Sequence, residues 1–237
     1  PSAQYNAVYV TIEAIQVLRD GTPAKWETIS TPMKTLNLLE LVNGISEKLG
    51  LSKMAPGTFA RLRLVLGTKP DGSVNMLQEG HPFANYIIDL KNKYHELNLP
   101  PRVQDGINII RNFTVTSERL TELMLDLDAH RSIVLAGGDH FWFEPVANLF
   151  IGDHFSTIAG TVIDVSSGIP LAGATIQAFS DQEIGGETRT DSGGSYKIYV
   201  SPGEYQLKAA TKNYAASSGT VSLSPSEMLI QNFILSN

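Results

Sequence analysis

The C-terminal third of the sequence, residues 158–235, limits the fold more than any other stretch. Short segments rich in β-branched and aromatic residues alternate there with turns that contain glycine, proline or aspartate. The predicted strands are residues 158–165, 175–179, 187–190, 195–200, 203–211, 219–223 and 228–235. Strands repeated at such short intervals, with turn signals between them, are typical of a β-sandwich with Greek-key connections.

The composition of the 237-residue chain excludes several kinds of protein. The net charge is −6 and no cluster of lysine and arginine stands out, so we expect no nucleic-acid partner. There is no cysteine, which rules out disulfides, a thiolate nucleophile and a cysteine-ligated metal. No apolar run approaches the roughly 20 residues of a membrane span. The 20 glycines and 12 prolines favour β-structure with many turns.

The first 150 residues also predict mainly β-structure. The predicted strands are residues 5–18, 26–29, 58–66, 107–115 and 122–128, with a hairpin over residues 133–146. In the third of these strands, Arg61 and Arg63 project to one face and the leucines to the other. Apolar spacings of three and four predict a short helix within residues 35–51, although Asn43-Gly44 weakens its centre. Residues 69–104 carry turn signals and predict an irregular insertion.

These two parts are predicted to be separate domains, residues 1–150 and 156–237, joined by a short connection. A similar motif starts a strand in each of them, Pro56-Gly57-Thr58-Phe59 and Pro202-Gly203-Glu204-Tyr205. In both copies proline sets the first corner of a turn, glycine takes a positive φ, and the aromatic residue enters the core. This echo predicts two β-sandwiches of one kind.

Residues 158–235 resemble the carboxypeptidase regulatory-like family of transthyretin-like sandwiches. The resemblance rests on Gly160-x-Val162-x-Asp164, Gly168-x-Pro170-Leu171-x-Gly173-Ala174, Thr190-Asp191-x-x-Gly194-x-Tyr196 and Pro202-Gly203-x-Tyr205. It implies a non-catalytic module. The related collagen-adhesin B-type domains often carry a Lys–Asn isopeptide bond. Because residues 157–165 contain no lysine and Lys208 falls near the expected acidic position, we predict no isopeptide here.

Residues 1–150 are similar to a bacterial lipoprotein domain family of unknown function, catalogued as number 4382. The matching residues are Val8-Tyr9-Val10-Thr11-Ile12, Leu38-Leu39-x-Leu41-x-Asn43-Gly44, Pro56-Gly57-Thr58-Phe59-x-x-Leu62-Arg63-Leu64, Leu125-x-Leu127-Asp128 with Arg131-Ser132-Ile133, and Glu144-Pro145-Val146. The resemblance implies an exported protein with an N-terminal lipid anchor. The family pattern begins with one more strand, of which only Pro1 remains here. Either the chain is trimmed, or its first domain exposes an edge that another chain fills.

The predicted fold class is therefore all-β, with two β-sandwich domains of transthyretin/prealbumin-like Greek-key type. The first domain adds the short helix and the irregular insertion.

One polar region is a candidate metal site, with the residues Asp126, Asp128, His130, His140 and Glu144. The period of two puts the first three on one face of a strand, and the other two lie in the hairpin that follows. Carboxylate and imidazole groups bind divalent ions. The alternative is a solvated polar face in which Asp128 caps the turn at Arg131-Ser132. We predict no bound metal.

The sequence offers candidate calcium ligands but no catalytic motif. The turn aspartates Asp153, Asp164, Asp181 and Asp191 suit calcium, but Asx-turns explain them without an ion, and no EF-hand spacing is present. No nucleophile elbow, zinc-binding His-Glu-x-x-His helix or phosphate-binding loop occurs. We therefore predict no cofactor and no enzymatic activity, with a hydrolase as the least favoured class.

The densest aromatic cluster is Phe141-Trp142-Phe143. The period of two places both phenylalanines in the core and Trp142 on the opposite face. Trp142 either packs between the two domains or stacks on a sugar or a protein partner. It is the candidate binding-surface residue.

Together these features predict a non-catalytic, exported protein of the bacterial envelope or cell surface, in the periplasm or at the outer membrane. It acts in binding, adhesion or assembly. A protein partner or a second copy adds a strand to the first domain, as in the subunits of a surface filament. The alternative is a carbohydrate- or protein-binding module of an outer-membrane lipoprotein system. Membrane contact is expected only through a lipid anchor upstream of the sequence.

Overall fold

A computed structural model describes residues 5–41, 45–117, 119–152 and 155–237. The elements in these residues are strands, apart from a 3₁₀ turn at Leu38–Glu40 and one short helix, α1 (Pro101–Gln104). No helix in the described part of the chain is long and apolar enough to cross a bilayer. The chain forms two compact units, Glu47–Leu149 with the residues up to Glu40, and Phe150–Asn237 with residues 41–46. The all-β prediction is confirmed.

The strands up to residue 151 are β1 (Tyr5–Arg19), β2 (Lys25–Ser30), β3 (Lys34–Asn37), β4 (Gly57–Leu66), β5 (Asn85–Asp89), β6 (Tyr94–Asn98), β7 (Ile107–Val115), β8 (Leu123–Leu127), β9 (Ile133–Leu135), β10 (Phe141–Phe143) and β11 (Ala147–Ile151). The main sheet has the order β7-β4-β1-β5-β6-β10-β9, and β2 and β3 also pair with β1. Strands β8 and β11 form a separate pair.

The 15-residue strand β1 organises this sheet. Tyr9 pairs with β3 and β5, whereas Ile12 pairs with β3 and β4. Strands β5 and β4 therefore follow one another along the same side of β1, while β3 and β2 share the other side. The register with β4 shifts between Ile12 and Ala14, a bulge that bends the strand. The first part of β1 thus pairs with β5 and its second part with β4, so this one strand connects the two halves of the sheet.

Strand β1 is buried on both faces from Ala7 to Ile12, so the prediction of a half-buried strand is wrong there. On one face Val8 and Val10 enter the main core. On the other face the ring of Tyr9 stacks on Tyr86 at 4.9 Å. The segment that leads into β5 covers these rings, because the backbone N–H of Met76 donates to Tyr9 Oη at 2.7 Å.

The predicted irregular insertion at residues 69–104 contains two strands and the helix. Strand β5 was not predicted because four consecutive residues from Asn85 are buried, so its sequence does not alternate between apolar and polar residues. The predicted helix within residues 35–51 is wrong for the residues described. Lys34–Asn37 pairs with β1 as a strand, and Asn37 Oδ1 accepts from the backbone N–H groups of Val8 and Leu39. Asn43-Gly44 lies outside the described residues.

Both Pro-Gly-aromatic motifs start strands, and both aromatic rings, Phe59 and Tyr205, are buried as predicted. The reason for glycine differs between them. Gly203 has a φ of +150°, whereas Gly57 has no positive φ and instead leaves room for Arg19 Nη1, which a Cβ would overlap. The shared motif therefore reflects similar packing but two different backbone requirements.

The second unit contains β12 (Ser156–Asp164), β13 (Thr175–Ser180), β14 (Glu183–Arg189), β15 (Ser195–Val200), β16 (Gly203–Ala210), β17 (Ser217–Leu223), β18 (Met228–Ile230) and β19 (Phe233–Leu235). One sheet has the order β15-β12-β18, with β19 also on β12, and the other has the order β14-β13-β16-β17. Alternate side chains of both sheets, such as Val162, Ile176 and Leu207, form one core. Every strand predicted here is present, and the last is divided in two.

Candidate functional site

The first candidate metal residues lie around the end of β8. The strand ends at Leu127, so Asp128 and His130 belong to the following turn and the period of two does not reach them. Asp128 Oδ1 accepts from the N–H of Arg131 at 2.9 Å, and its backbone carbonyl accepts from Ser132 Oγ at 2.5 Å. Asp128 therefore caps the turn.

Asp126 is half-buried in β8. Burial, together with the nearby charge of Asp128, raises the pKa of this carboxyl to about 6, while a hydrogen bond with Asn148 acts in the opposite direction. The carboxyl group is thus partly protonated near neutral pH.

The remaining candidates lie elsewhere. His140 is exposed, and Glu144 Oε2 accepts from Arg102 Nη2 at 2.6 Å. In the ranges that the structure describes, no three His, Asp or Glu side chains are grouped so that they could hold a metal ion. The five candidates do not form a site.

Two of the turn aspartates act through their own backbone. Asp164 Oδ1 accepts from the N–H groups of Ser166 and Ser167, and Asp191 Oδ1 accepts from those of Gly193 and Ser195. Asp181 has a φ of +49° in a hairpin. Asp153 lies outside the described residues. The carboxylates of Asp164 and Asp191 therefore shape turns.

Strand β10 places its aromatic residues as predicted for Phe141 and Phe143, which are both buried. Trp142 is half-buried and lies in register between Val134 of β9 and Asn98 of β6. Its neighbours in the sheet are thus one exposed apolar and one polar residue. Its role as a binding-surface residue stays a prediction.

A second surface emerges from strand register in the first unit. The residues Leu18, Trp26, Arg61, Arg63 and Ile110 form what we call the basic–aromatic face. Leu18 pairs with Trp26 of β2 and with Arg61 of β4, and Arg61 pairs with Ile110 of β7. Paired residues project to the same side of a sheet, so these four side chains lie in one row. Arg63, two residues from Arg61 in β4, projects to the same side in the next row.

Arg63 is held in place on this face. Its guanidinium carbon lies 3.8 Å from the centroid of the Trp26 ring, and its Nε donates to Asn108 Oδ1 at 3.1 Å. Its terminal Nη groups donate to no partner among the described residues, and a fixed guanidinium can take a carboxylate in bidentate fashion. Neither Arg61 nor Arg63 is ion-paired with a described carboxylate.

The basic–aromatic face borders the edge strand β7. Residues Ile107–Ile110 pair with β4 without interruption, and a register shift follows between Phe113 and Ile110. No described strand pairs with the outer side of β7. Ile110 is 75% exposed. The alternation of Arg61 and Arg63 was visible in the sequence, but Trp26 and Ile110 are brought to them only by pairing between distant strands.

Comparisons with known proteins agree with this architecture. The family model described as "Domain of unknown function (DUF4382)" matches residues 1–145, and the carboxypeptidase regulatory-like domain matches residues 157–236. No curated protein matches the chain.

Three solved structures are similar in part. The 5-hydroxyisourate hydrolase of Klebsiella pneumoniae is 17% identical over 34% of this chain and 90% of its own, with a TM-score of 0.30. A type II cohesin–X-dockerin complex from Acetivibrio cellulolyticus is 22% identical over 34% of this chain and 56% of its own, with a TM-score of 0.29. The minor pilin GBS52 of Streptococcus agalactiae is 13% identical over 81% of this chain and 87% of its own, also with a TM-score of 0.29.

Since the first of the two family models covers more than half of the 237 residues, the chain belongs to the DUF4382 domain family, and it carries a carboxypeptidase regulatory-like domain after that domain.

Proposed function

We propose that this chain is a non-catalytic, exported protein of the bacterial envelope or cell surface that works by binding a protein partner. The binding surface is the basic–aromatic face with the adjoining edge of β7. The observation that carries the proposal is Arg63, fixed between Trp26 and Asn108 beside the exposed Ile110. Trp and Arg dominate the energetics of protein interfaces, and an apolar neighbour that excludes water adds to them.

The partner that fits is an extended segment with acidic residues at alternate positions. Arg61 and Arg63 are two residues apart in one strand, which separates them by about 6.8 Å. An added strand has the same repeat and would lie beyond β7, which separates it from β4. Glutamate side chains at alternate positions would therefore have the spacing of the two guanidinium groups and would reach towards them across β7. Its backbone would pair with Ile107–Ile110, where the outer N–H and C=O groups have no described partner. The face is cationic on a chain of net charge −6.

The resemblance of the first domain to bacterial lipoprotein domains supports the proposal of export and lipid anchoring. The absence of cysteine in the sequence fits an envelope protein. A non-catalytic role is supported by Asp128 and Glu144, which cap a turn and pair with Arg102 respectively. These groups stabilise the fold, and we assign them no chemistry.

Fluorescence anisotropy with a synthetic peptide that carries glutamate at every second position tests this proposal. We expect saturable binding at physiological salt, weakened at least tenfold in the Arg61→Gln, Arg63→Gln double variant. Arg102→Gln removes a cation of the same unit that is not part of the face and pairs with Glu144, and it serves as the matched control. Equal weakening by the control, or no binding by the wild-type chain, would reject the proposal.

A further inference from the structure

The outer face of the β14-β13-β16-β17 sheet in the second unit carries an open cavity of about 670 Å³. That volume lies within the range of small-molecule sites. We infer that this cavity binds a neutral oligosaccharide, which gives the chain a second binding activity beyond the proposed protein contact. The site differs from the one predicted at Trp142, which lies in the first unit.

Strand register builds the floor of the cavity. Phe179 of β13 pairs with Gln206 of β16, which pairs with Thr220 of β17. In the next row Lys208 pairs with Ser218. Alternate residues of these strands, such as Ala178, Leu207 and Val221, are buried in the core on the opposite face of the sheet. A half-buried aromatic ring therefore lies on a polar sheet face, close to the end of β13.

The polar side chains of the cavity have no partners within the part of the chain that the structure describes. Gln182, Glu204, Gln206, Lys208, Ser218 and Thr220 all line it. None of their side chains donates or accepts a hydrogen bond there, or forms an ion pair. By contrast, Gln177 of the same face, outside the cavity, donates to Glu187 Oε2 at 2.7 Å. The cavity is thus lined by amide, hydroxyl, carboxylate and ammonium groups without described partners, next to the ring of Phe179.

The rim is formed by a constrained hairpin. Ser180 pairs with Glu183, which leaves Asp181 and Gln182 as a two-residue loop. Their φ values are +49° and +69°, in the region that such loops usually fill with asparagine and glycine. The loop therefore presents the carboxylate of Asp181 and the amide of Gln182 at the cavity mouth, where asparagine and glycine would be usual.

Sugar chemistry matches this set of groups best. Each hydroxyl of a sugar both donates and accepts, as the amides and hydroxyls of the cavity do, and carboxylates take pairs of neighbouring hydroxyls. The apolar face of a sugar ring can pack on Phe179 as other apolar groups pack on aromatic faces. Two carboxylates against one ammonium make the cavity slightly negative, which disfavours phosphate and uronate ligands. A peptide would gain most from a free strand edge, whereas this cavity lies on the sheet face.

The test begins with the full chain on an array of neutral and acidic oligosaccharides, followed by calorimetric titration of the best neutral binder. Phe179→Ala and Gln206→Ala are each expected to weaken binding at least tenfold. Gln177→Ala is the matched control and should bind like the wild type. Gln206 is exposed, so its variant keeps the test valid if the loss of the Phe179 ring impairs folding.

Several results would overturn the inference. These are an array without neutral binders, a preference for acidic oligosaccharides or for peptides in place of neutral sugars, binding unchanged in Gln206→Ala, and binding weakened equally in Gln177→Ala. Because the arginine variants of the first unit leave the cavity intact, failure here and failure of the proposed protein contact are distinguishable.

Discussion

At the scale of single residues, Asp126 is a carboxyl group whose ionised form the folded state disfavours. Its pKa of about 6 means that the folded state favours the protonated form. The stability linked to this group is complete below the unfolded pKa of about 4 and is lost as the pH rises through 6. At neutral pH the folded chain must hold a partly buried charge.

Asp126→Asn should therefore stabilise the protein at pH 7.5. We expect a gain of about 1–2 kcal/mol, or a few degrees in Tm, and little gain at pH 4.5. Thermal melts at both pH values measure the difference. Glu122→Gln, an exposed neighbour, is the control and should change neither value. A gain in stability at pH 4.5 as large as that at pH 7.5 would contradict the raised pKa of Asp126 as its cause.

His81 links the segment before β5 to the sheet. Its Nδ1 lies 2.8 Å from Tyr86 Oη and its Nε2 lies 3.1 Å from Ser73 Oγ, which in turn donates to Asp71. Burial lowers the pKa of His81, partly offset by the charge of Asp71. The unfolded chain thus takes up the proton first as the pH falls, so the stability linked to His81 is complete above neutral pH and declines below about 6.5.

We expect His81→Gln to remove this pH dependence while retaining a hydrogen-bonding side chain. Between pH 7.5 and pH 6, the Tm of the wild-type chain should fall by more than that of the variant. Differential scanning calorimetry at the two pH values makes the comparison. Parallel Tm changes in the two proteins would show that His81 is not the titrating group.

At the scale of elements, the C-terminal strands β18 and β19 depend on one glycine. Gly160 lies in β12 where β18 ends, and a Cβ there would overlap the carbonyl oxygen of Gln231. Tyr196 Oη donates to the same carbonyl at 2.6 Å. Strand β18 pairs with the part of β12 before Gly160 and β19 with the part after it, both in parallel orientation. The close approach holds the chain end on the sheet.

Gly160→Ala should force these strands away from β12 and cost about 2–3 kcal/mol of unfolding free energy. Gly219→Ala in β17 is the matched control, because its Cβ would meet its nearest atom at an ordinary 3.7 Å. Urea denaturation of both variants gives the two values. A loss in Gly219→Ala equal to that in Gly160→Ala would contradict the packing argument.

The elements of the second domain were predictable because each strand has one buried and one exposed face, so period two was visible between clear turn signals. The failures in the first domain have the opposite cause. Strand β5 is buried on both faces, and β3 has apolar spacings that mimic a helix until Asn37 fixes it to β1. The pattern of apolar and polar residues within a segment does not reveal contacts with segments that are distant in the sequence.

The candidate sites were predictable only in part for the same reason. Alternation placed Arg61 and Arg63 on one face, but Trp26 and Ile110 join them through register between strands that are far apart in sequence. Phe179 meets Gln206 and Thr220 in the same way. The candidate metal residues around Asp128 do not share one strand face, because β8 ends at Leu127 and period two does not extend to Asp128 and His130.

At the scale of the whole molecule, the chain combines a DUF4382 domain with a carboxypeptidase regulatory-like domain, and each offers a different surface. The first presents the fixed Arg63, the neighbouring Arg61 and an edge strand with no described partner, on a chain of net charge −6. The second presents a polar cavity with an aromatic floor. We infer a protein that holds a protein partner and a glycan through separate domains.

Hydrogen exchange of the backbone amides in Ile107–Ile110, with and without the alternating-glutamate peptide, tests the central claim most directly. Strand addition predicts that the outward-facing amides of this segment become protected when the peptide binds, and that Arg61→Gln with Arg63→Gln removes the protection. Binding that leaves the exchange of these amides unchanged would contradict strand addition at β7.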